Sequence, residues 1–171
     1  MDFAVHSESI MSDSIIQRYP YFLIIKSIGK THGVGGLRLG ALVGQKAHEF
    51  KDQTSIWNVN SLAEFFLQRF KKHEKAYLKS LDMIRNERKS MENRLSSILD
   101  INITPSEGNF IYIELEKKFA RDLQDYLFDK GFIVKIIDQN LDQVAIRIAV
   151  RNGLDNHLLC AAIESFTNEP R

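Results

Sequence analysis

Two apolar runs near the start of the chain constrain its fold more than any other feature. Residues 21–26 (YFLIIK) and 37–43 (LRLGALV) have the composition of buried β-strands, and the link between them is rich in glycine. A link of this length is better suited to holding a ligand than to making a tight hairpin. Because two strands cannot form a sheet that buries both faces, we expect residues 1–56 to be the tail of a larger sheet whose other strands are absent.

A long helical region follows the two strands. Apolar residues recur at helical spacing across residues 61–99, and no proline interrupts them. We predict one long helix over residues 77–99. Its charged side chains are expected to form a face in contact with water, made of Lys79, Arg85, Glu87, Arg88 and Lys89.

The last part of the chain predicts a small domain of its own. The predicted elements are three strands and two helices: strand 109–115, helix 119–130 ended by Gly131, strands 132–137 and 144–150, and helix 155–166. This β-α-β-β-α order is typical of a two-layer α+β domain. We therefore divide the chain into residues 1–56, the connecting helices 57–99 and a small C-terminal domain 100–171.

Composition excludes several classes of protein. The chain has 171 residues, of which 44% are hydrophobic and 26% charged, as in a globular protein. A net charge of +1 gives no reason to expect nucleic acid or an acidic membrane as partner. Cys160 is the only cysteine and lies in an apolar run, which predicts a buried structural thiol and fits a reducing cytoplasm. No apolar run is long enough to span a bilayer.

One lysine and one arginine lie at chemically suggestive places in the glycine-rich segment. Lys30 comes just after the first strand-like run, where an amine can form a Schiff base. Arg38 follows eight residues later and can bind a phosphate. Pyridoxal phosphate needs both groups, because its aldehyde is held covalently and its phosphate must be neutralised.

The same residues resemble the cofactor-lysine segment of fold-type I pyridoxal-phosphate enzymes. The likeness is to class I/II aminotransferases around histidinol-phosphate aminotransferase and threonine-phosphate decarboxylase. Four segments carry it, in order and at family-like spacing: residues 27–40 (SIGKTHGVGGLRLG), 57–63 (WNVNSLA), 105–110 (PSEGNF) and 146–150 (IRIAV). Together they extend over most of the chain, from residue 27 to residue 150.

The resemblance implies a role for each matching residue. Lys30 would form the internal aldimine with pyridoxal 5'-phosphate and move protons at the substrate alpha carbon. Arg38 would bind the cofactor phosphate and Ser27 would add a hydroxyl donor. Arg147 would pair with the substrate alpha-carboxylate. We also expect the Lys30 ammonium and the Arg38 guanidinium to border one concavity, with Ser27 on its rim.

The chain departs from the family pattern at three points. Gly29 stands where the family usually has a serine before the lysine, and Lys135 stands where phosphate-substrate members often carry an arginine. The family's partners for the cofactor ring lie upstream of the lysine, where this chain has only 29 residues. We therefore expect residues 1–56 to be the tail of the large cofactor-binding domain, and the chain alone to be a weak or inactive catalyst.

The resemblance implies an α/β fold: the C-terminal part of a fold-type I transferase, with the end of the large-domain sheet, a long connecting helix and a small α+β domain. The implied function is that of an aminotransferase acting on an amino acid or a phosphorylated amino compound, as a homodimer. A threonine- or serine-phosphate decarboxylase is a second enzymatic reading. A non-catalytic dimerisation module left from such an enzyme is a reading from another class.

The remaining chemistry-bearing residues predict no site. Four of the five histidines have no metal-ligand spacing and are expected on the surface or on helices: His32, His48, His73 and His157. Trp57 is expected to anchor packing where the domains join. Arg147 could also simply face solvent on an alternating strand.

Overall fold

A computed structural model describes residues 11–101, 103–138 and 143–169, and all structural statements below refer to these. The described residues form five strands, five α-helices and two 3₁₀ helices, Gly35–Leu37 and Ala47–Gln53. The chain divides into two compact units, Met1–Lys79 (unit 1) and Ser80–Arg171 (unit 2). The predicted division into three parts stays a prediction.

Unit 1 contains a short sheet of two antiparallel strands. The short helix α1 (Asp13–Arg18) precedes it, and β1 (Ile24–Ser27) pairs with β2 (Gly40–Val43) so that Ile24 lies opposite Val43 and Ser27 opposite Gly40. Both strands begin three residues later than predicted. For β2 the reason is local: Arg38 has a φ of +53°, and a left-handed residue cannot belong to an extended strand.

The link between the two strands contains two short turns of helix. The first, α2 (Ile28–Thr31), continues directly from β1, and a 3₁₀ turn (Gly35–Leu37) follows it. The backbone N–H groups of Ile28 and Gly29 lie 3.1 and 3.3 Å from the Leu39 carbonyl oxygen. These contacts close the link across its base, so the link is an ordered loop.

The predicted long helix is present and is longer than expected. Helix α3 (Ser61–Leu99) runs for 39 residues without a break and so passes from unit 1 into unit 2. The prediction that its charged residues all face water is wrong for Arg88, which is only 5% exposed. Glu87 is also half-buried and accepts a hydrogen bond from Asn156 at 3.0 Å.

Unit 2 has the predicted β-α-β-β-α order. Strands β3 (Phe110–Glu116), β4 (Lys135–Asp138) and β5 (Gln143–Ala149) form an antiparallel sheet in the order β3-β5-β4. Helices α4 (Lys117–Asp129) and α5 (Gly153–Asn168) and the second half of α3 contribute side chains to one core with this sheet. The largest fully buried side chains of the described residues all belong to unit 2.

The ends of the unit 2 helices are set by side chains in the sequence. Glu116 accepts hydrogen bonds from the N–H groups of Lys118 and Phe119, which caps α4 and lowers the pKa of its carboxyl group. Gly131, at a φ of +85°, ends the same helix as predicted, and the next N–H, that of Phe132, bonds back to the Leu127 carbonyl. Asn152 caps α5 through the N–H of Asp155.

Candidate active site

Lys30 lies on the turn that follows β1, in unit 1. It is the third residue of α2, and its side chain is exposed. Gly29 beside it is buried, and a Cβ at that position would lie 3.3 Å from the backbone of Val34 and Gly35. The backbone of the glycine-rich link therefore packs against the turn, and this explains why the residue before Lys30 is a glycine here.

Ser27 and Arg38 lie at the same end of the β1–β2 pair as Lys30. Ser27 is the last residue of β1 and is opposite Gly40, while Arg38 is two residues before Gly40 on the returning chain. Both side chains are exposed. The Arg38 Nη1 makes a long contact of 3.5 Å with the Gly35 carbonyl, so most of its donors point to solvent. The structure thus places an amine, a guanidinium and a hydroxyl at one end of one small sheet.

Sequence reasoning missed two residues that hold this segment. Asn60 accepts a hydrogen bond from the Ala63 N–H at the start of α3 and donates one to the Leu37 carbonyl at 2.9 Å, next to Arg38. An asparagine just before a helix is a recognisable capping signal, but its second bond is 23 residues away in sequence. It ties the link to the long helix within unit 1.

His32 is the second missed residue: it follows directly after α2, and the expectation of a surface or helix position did not predict its ring contacts. It is half-buried, and its ring stacks on Tyr77 with centroids 4.3 Å apart and an angle of 6°. Its edge contacts with Phe70 and Phe66 are at 4.6 and 6.0 Å. The ring Nδ1 lies 3.0 Å from the Ile28 carbonyl oxygen and 2.9 Å from the Thr31 hydroxyl oxygen. His32 therefore fastens the Lys30 turn to the first half of α3.

Arg147 lies at the centre of unit 2's open sheet face. Its neighbours Ile146 and Ile148 are 1% and 2% exposed and belong to the core, whereas Arg147 is exposed on the opposite face, as the alternation predicts. In register it is directly opposite Tyr112 on β3 and Lys135 on β4. The three side chains form a row across the sheet, which we call the cationic row.

Lys135 and Arg147, the two cations of the cationic row, carry like charges at directly opposite positions on neighbouring strands. Side chains directly opposite on antiparallel strands have Cβ atoms only about 4.5–5.5 Å apart, and like charges there are unfavourable. Among the described residues, neither Arg147 nor Lys135 has an ion pair, and Arg147 instead has its guanidinium carbon 5.4 Å from the centre of the Phe110 ring. Two adjacent positive charges on an open face are suited to an anion.

Two further residues singled out in the sequence, Trp57 and Cys160, differ in their exposure. Trp57 is 90% exposed, so the expectation that it anchors packing is wrong within this chain. Cys160 is buried, as predicted, and burial raises the pKa of its thiol, which keeps it protonated and unreactive. Among the described residues no cluster of side chains could hold a metal ion.

No helix in the described part of the chain is long and apolar enough to cross a membrane.

The sequence is similar to those of known proteins. The family model for aminotransferase class I and II matches residues 1–166. The L-serine phosphate decarboxylase of Sulfurospirillum multivorans is 25% identical over 99% of this chain and 46% of its own length. Histidinol-phosphate aminotransferase 1 of Mannheimia succiniciproducens is 29% identical over 98% of this chain and 46% of its own length.

A solved structure shares the fold. The histidinol-phosphate aminotransferase of Sinorhizobium meliloti, in complex with pyridoxal-5'-phosphate, matches 97% of this chain and 46% of its own chain with a TM-score of 0.75 and 20% identity. The chain thus spans about half the length of these three relatives. The match over residues 1–166 shows that the chain belongs to the class I and II aminotransferase family, a fold-type I family whose cofactor is pyridoxal 5'-phosphate.

Proposed function

We propose that this chain is the C-terminal part of a pyridoxal-phosphate-dependent aminotransferase that acts on an amino acid or a phosphorylated amino compound. One observation carries the proposal: Ser27, Lys30 and Arg38 lie at the same end of the β1–β2 pair, all exposed. Their chemistry fits the cofactor, since an amine can hold its aldehyde and a guanidinium with a hydroxyl can bind its phosphate.

Each residue has a defined task in this proposal. When bound, the cofactor supplies an electron sink that stabilises a carbanion at the substrate alpha carbon. Lys30 holds the cofactor and moves the proton at that carbon. Arg38 binds the phosphate and Ser27 donates one hydrogen bond to it. Arg147 pairs with the substrate alpha-carboxylate by two parallel hydrogen bonds, which a planar guanidinium can make.

The cationic row supports an anionic substrate with two charged groups. Arg147 and Lys135 are direct neighbours across β4 and β5, and Lys135 adds charge without the geometry of a fork. A substrate with a carboxylate and a phosphate would offset both charges. This observation, together with the likeness to L-serine phosphate decarboxylase over 99% of the chain, supports serine- or threonine-phosphate decarboxylation as the second candidate reaction.

We further propose a homodimer in the cytoplasm, with no nucleic acid or membrane as partner. The single buried cysteine fits a reducing compartment, and exposed apolar side chains such as Ile56 and Trp57 offer area for subunit contact. Analytical ultracentrifugation tests the dimer, and a monomer at all concentrations would contradict it. A stable dimer that never reacts with the cofactor would favour the non-catalytic reading.

The decisive experiment is the trapping of the cofactor on its lysine. The chain is incubated with pyridoxal 5'-phosphate, reduced with borohydride and digested, and each modified lysine is located by mass spectrometry. We expect Lys30 to be modified in preference to Lys51, an exposed lysine of the same unit. Lys30→Ala removes the signal, and Lys30→Arg does not restore it because a guanidinium forms no such bond.

Two matched arms show whether the phosphate site is real. Pyridoxal, which has no phosphate, should modify Lys30 and Lys51 of the wild-type chain equally. Pyridoxal phosphate should likewise show no preference for Lys30 in the Arg38→Ala variant. Lys51→Ala serves as the control and should leave the Lys30 signal unchanged. Equal modification of Lys30 and Lys51 by pyridoxal phosphate and by pyridoxal would overturn the cofactor assignment.

A further inference from the structure

The buried arginine on α3 has an unusual environment. The Arg88 side chain is 6% exposed, and its Nη1 donates a hydrogen bond of 2.8 Å to the carbonyl of Gly108. Its Nε has no hydrogen-bond partner among the described residues and lies 3.8 Å from the Glu92 carboxylate. Burying a charged side chain with an unsatisfied donor is costly, so stability alone does not explain an arginine here.

Arg88 and Glu92 together hold the turn that precedes β3. The Glu92 carboxylate accepts a hydrogen bond of 3.0 Å from the Ser106 N–H, and the Ser106 hydroxyl accepts one of 3.1 Å from the Gly108 N–H. The turn is therefore bound to one face of α3 at its carbonyl and its N–H groups. Its conformation depends on two charged side chains one helical turn apart.

The same turn determines where the Phe110 ring lies. A Cβ at Gly108 would lie 2.6 Å from Phe110 Cε1, so the ring packs directly on the glycine. The centre of the same ring is 5.4 Å from the guanidinium carbon of Arg147. A continuous set of contacts thus runs from Arg88 through Gly108 and Phe110 to Arg147, all inside unit 2.

We propose that Arg88 is a positioning residue for Arg147. By fixing the Gly108 carbonyl it fixes the Phe110 ring, and the ring fixes the Arg147 guanidinium in a cation–π contact on the open sheet face. The role of this positioning rests on the proposed function, in which Arg147 binds the substrate carboxylate. The prearranged guanidinium then loses less freedom when the anion binds. A lysine at position 88 has no planar fork to reach both the Gly108 carbonyl and Glu92.

The experiment measures the Arg147 side chain by NMR in the chain without any ligand. A guanidinium near an aromatic face has its side-chain resonances shifted by the ring current, and Arg147→Lys identifies them by their loss. We expect a clear shift in the wild type that Phe110→Leu abolishes. Arg88→Lys should remove more than half of it. Arg85→Lys, on the same helix and paired with Asp82 near the surface, is the matched control and should leave it unchanged.

Two further variants keep the test decisive. If the Arg88→Lys protein fails to fold, the Glu92→Gln variant is measured in its place. This substitution removes the charge that faces Arg88 and keeps an oxygen acceptor. We expect a partial loss of the ring-current shift. Gly108→Ala should displace the ring and lose the shift with Arg88 intact. A wild-type shift in a folded Arg88→Lys or Glu92→Gln protein overturns the proposal, as does an equal loss in Arg85→Lys. Because no ligand enters the measurement, failure of Arg147 to bind carboxylate would overturn only the proposed function.

Discussion

The two units differ in how their apolar residues are placed. Among the described residues, unit 1 has three buried apolar side chains, Ile24, Leu39 and Ala63, whereas unit 2 has a continuous core from α3, the sheet, α4 and α5. Unit 1 also exposes large apolar side chains, among them Ile25 at 86% and Trp57 at 90%. Unit 2 thus has the core of an independent domain. Unit 1 instead exposes apolar side chains of the kind that another protein surface usually covers.

This contrast separates the two parts of the proposed chemistry. Lys30, the lysine proposed to hold the cofactor, lies in the unit with few buried apolar side chains, and His32 and Asn60 hold its segment. The cationic row lies on a sheet whose other face packs against the core of unit 2. The geometry of the proposed anion site therefore follows from a well-packed core, and that of the lysine turn from a small aromatic cluster.

The largest predicted effect is on the core of unit 2. Leu127→Ala should lower the free energy of unfolding by about 2–5 kcal/mol, because Leu127 is fully buried and its removal leaves a cavity. Ile25→Ala, the matched apolar truncation in unit 1, should change it by less than about 0.5 kcal/mol. Urea titration followed by circular dichroism measures both. Equal losses would show that unit 1 has a core as tightly packed as that of unit 2.

The second prediction concerns substrate affinity at the cationic row. Arg147→Lys should weaken binding of O-phospho-L-serine by roughly ten- to a hundred-fold, from the ~1.5–3 kcal/mol of a hydrogen bond to a charged group. Trapping of pyridoxal phosphate at Lys30 should be unchanged. Calorimetric titration provides the affinity, and Arg121→Lys, an exposed arginine on α4, is the control. Unchanged affinity, or loss of the trapped cofactor, would show that Arg147 is not the carboxylate ligand.

The third prediction tests the anchor of the lysine turn. His32→Ala removes the stack on Tyr77 and should cost about 0.5–1.5 kcal/mol, the usual value of an aromatic pair, in the local stability of residues 28–34. Amide hydrogen exchange of that segment should quicken accordingly, while β5 exchanges as before. His48→Ala, an exposed histidine of the same unit, should leave both segments unchanged. Unaltered exchange at residues 28–34 would mean that the link holds the turn by itself.

The sequence predicted the elements better than it predicted their contacts. Alternation around Arg147 correctly identified its open face, since period-two patterns report directly which side of a strand is packed. Arg88 was misjudged, because helical periodicity shows a charge but not that a turn twenty residues later returns to cover it. His32 was missed for the same reason: its partners, Phe66, Phe70 and Tyr77, are 34 to 45 residues away. Local patterns therefore predict the elements and the packed side of a strand, whereas the burial of Arg88 and His32 depends on contacts with residues far away in sequence.

The smallest predicted effect tests whether the positive charge of Lys135 serves the stability of the fold or the binding of an anion. If Lys135 and Arg147 repel each other across β4 and β5, Lys135→Gln should raise the free energy of unfolding by about 0.2–1 kcal/mol, the range for a cross-strand pair. The same variant should weaken binding of O-phospho-L-serine, because one of two positive charges is lost. Lys130→Gln, an exposed lysine at the end of α4, is the control for a simple change in net charge. A gain in stability with a loss of affinity would mean that the unfavourable pair of Lys135 and Arg147 is retained to bind an anion. A loss of stability would show that Lys135 has a structural role instead.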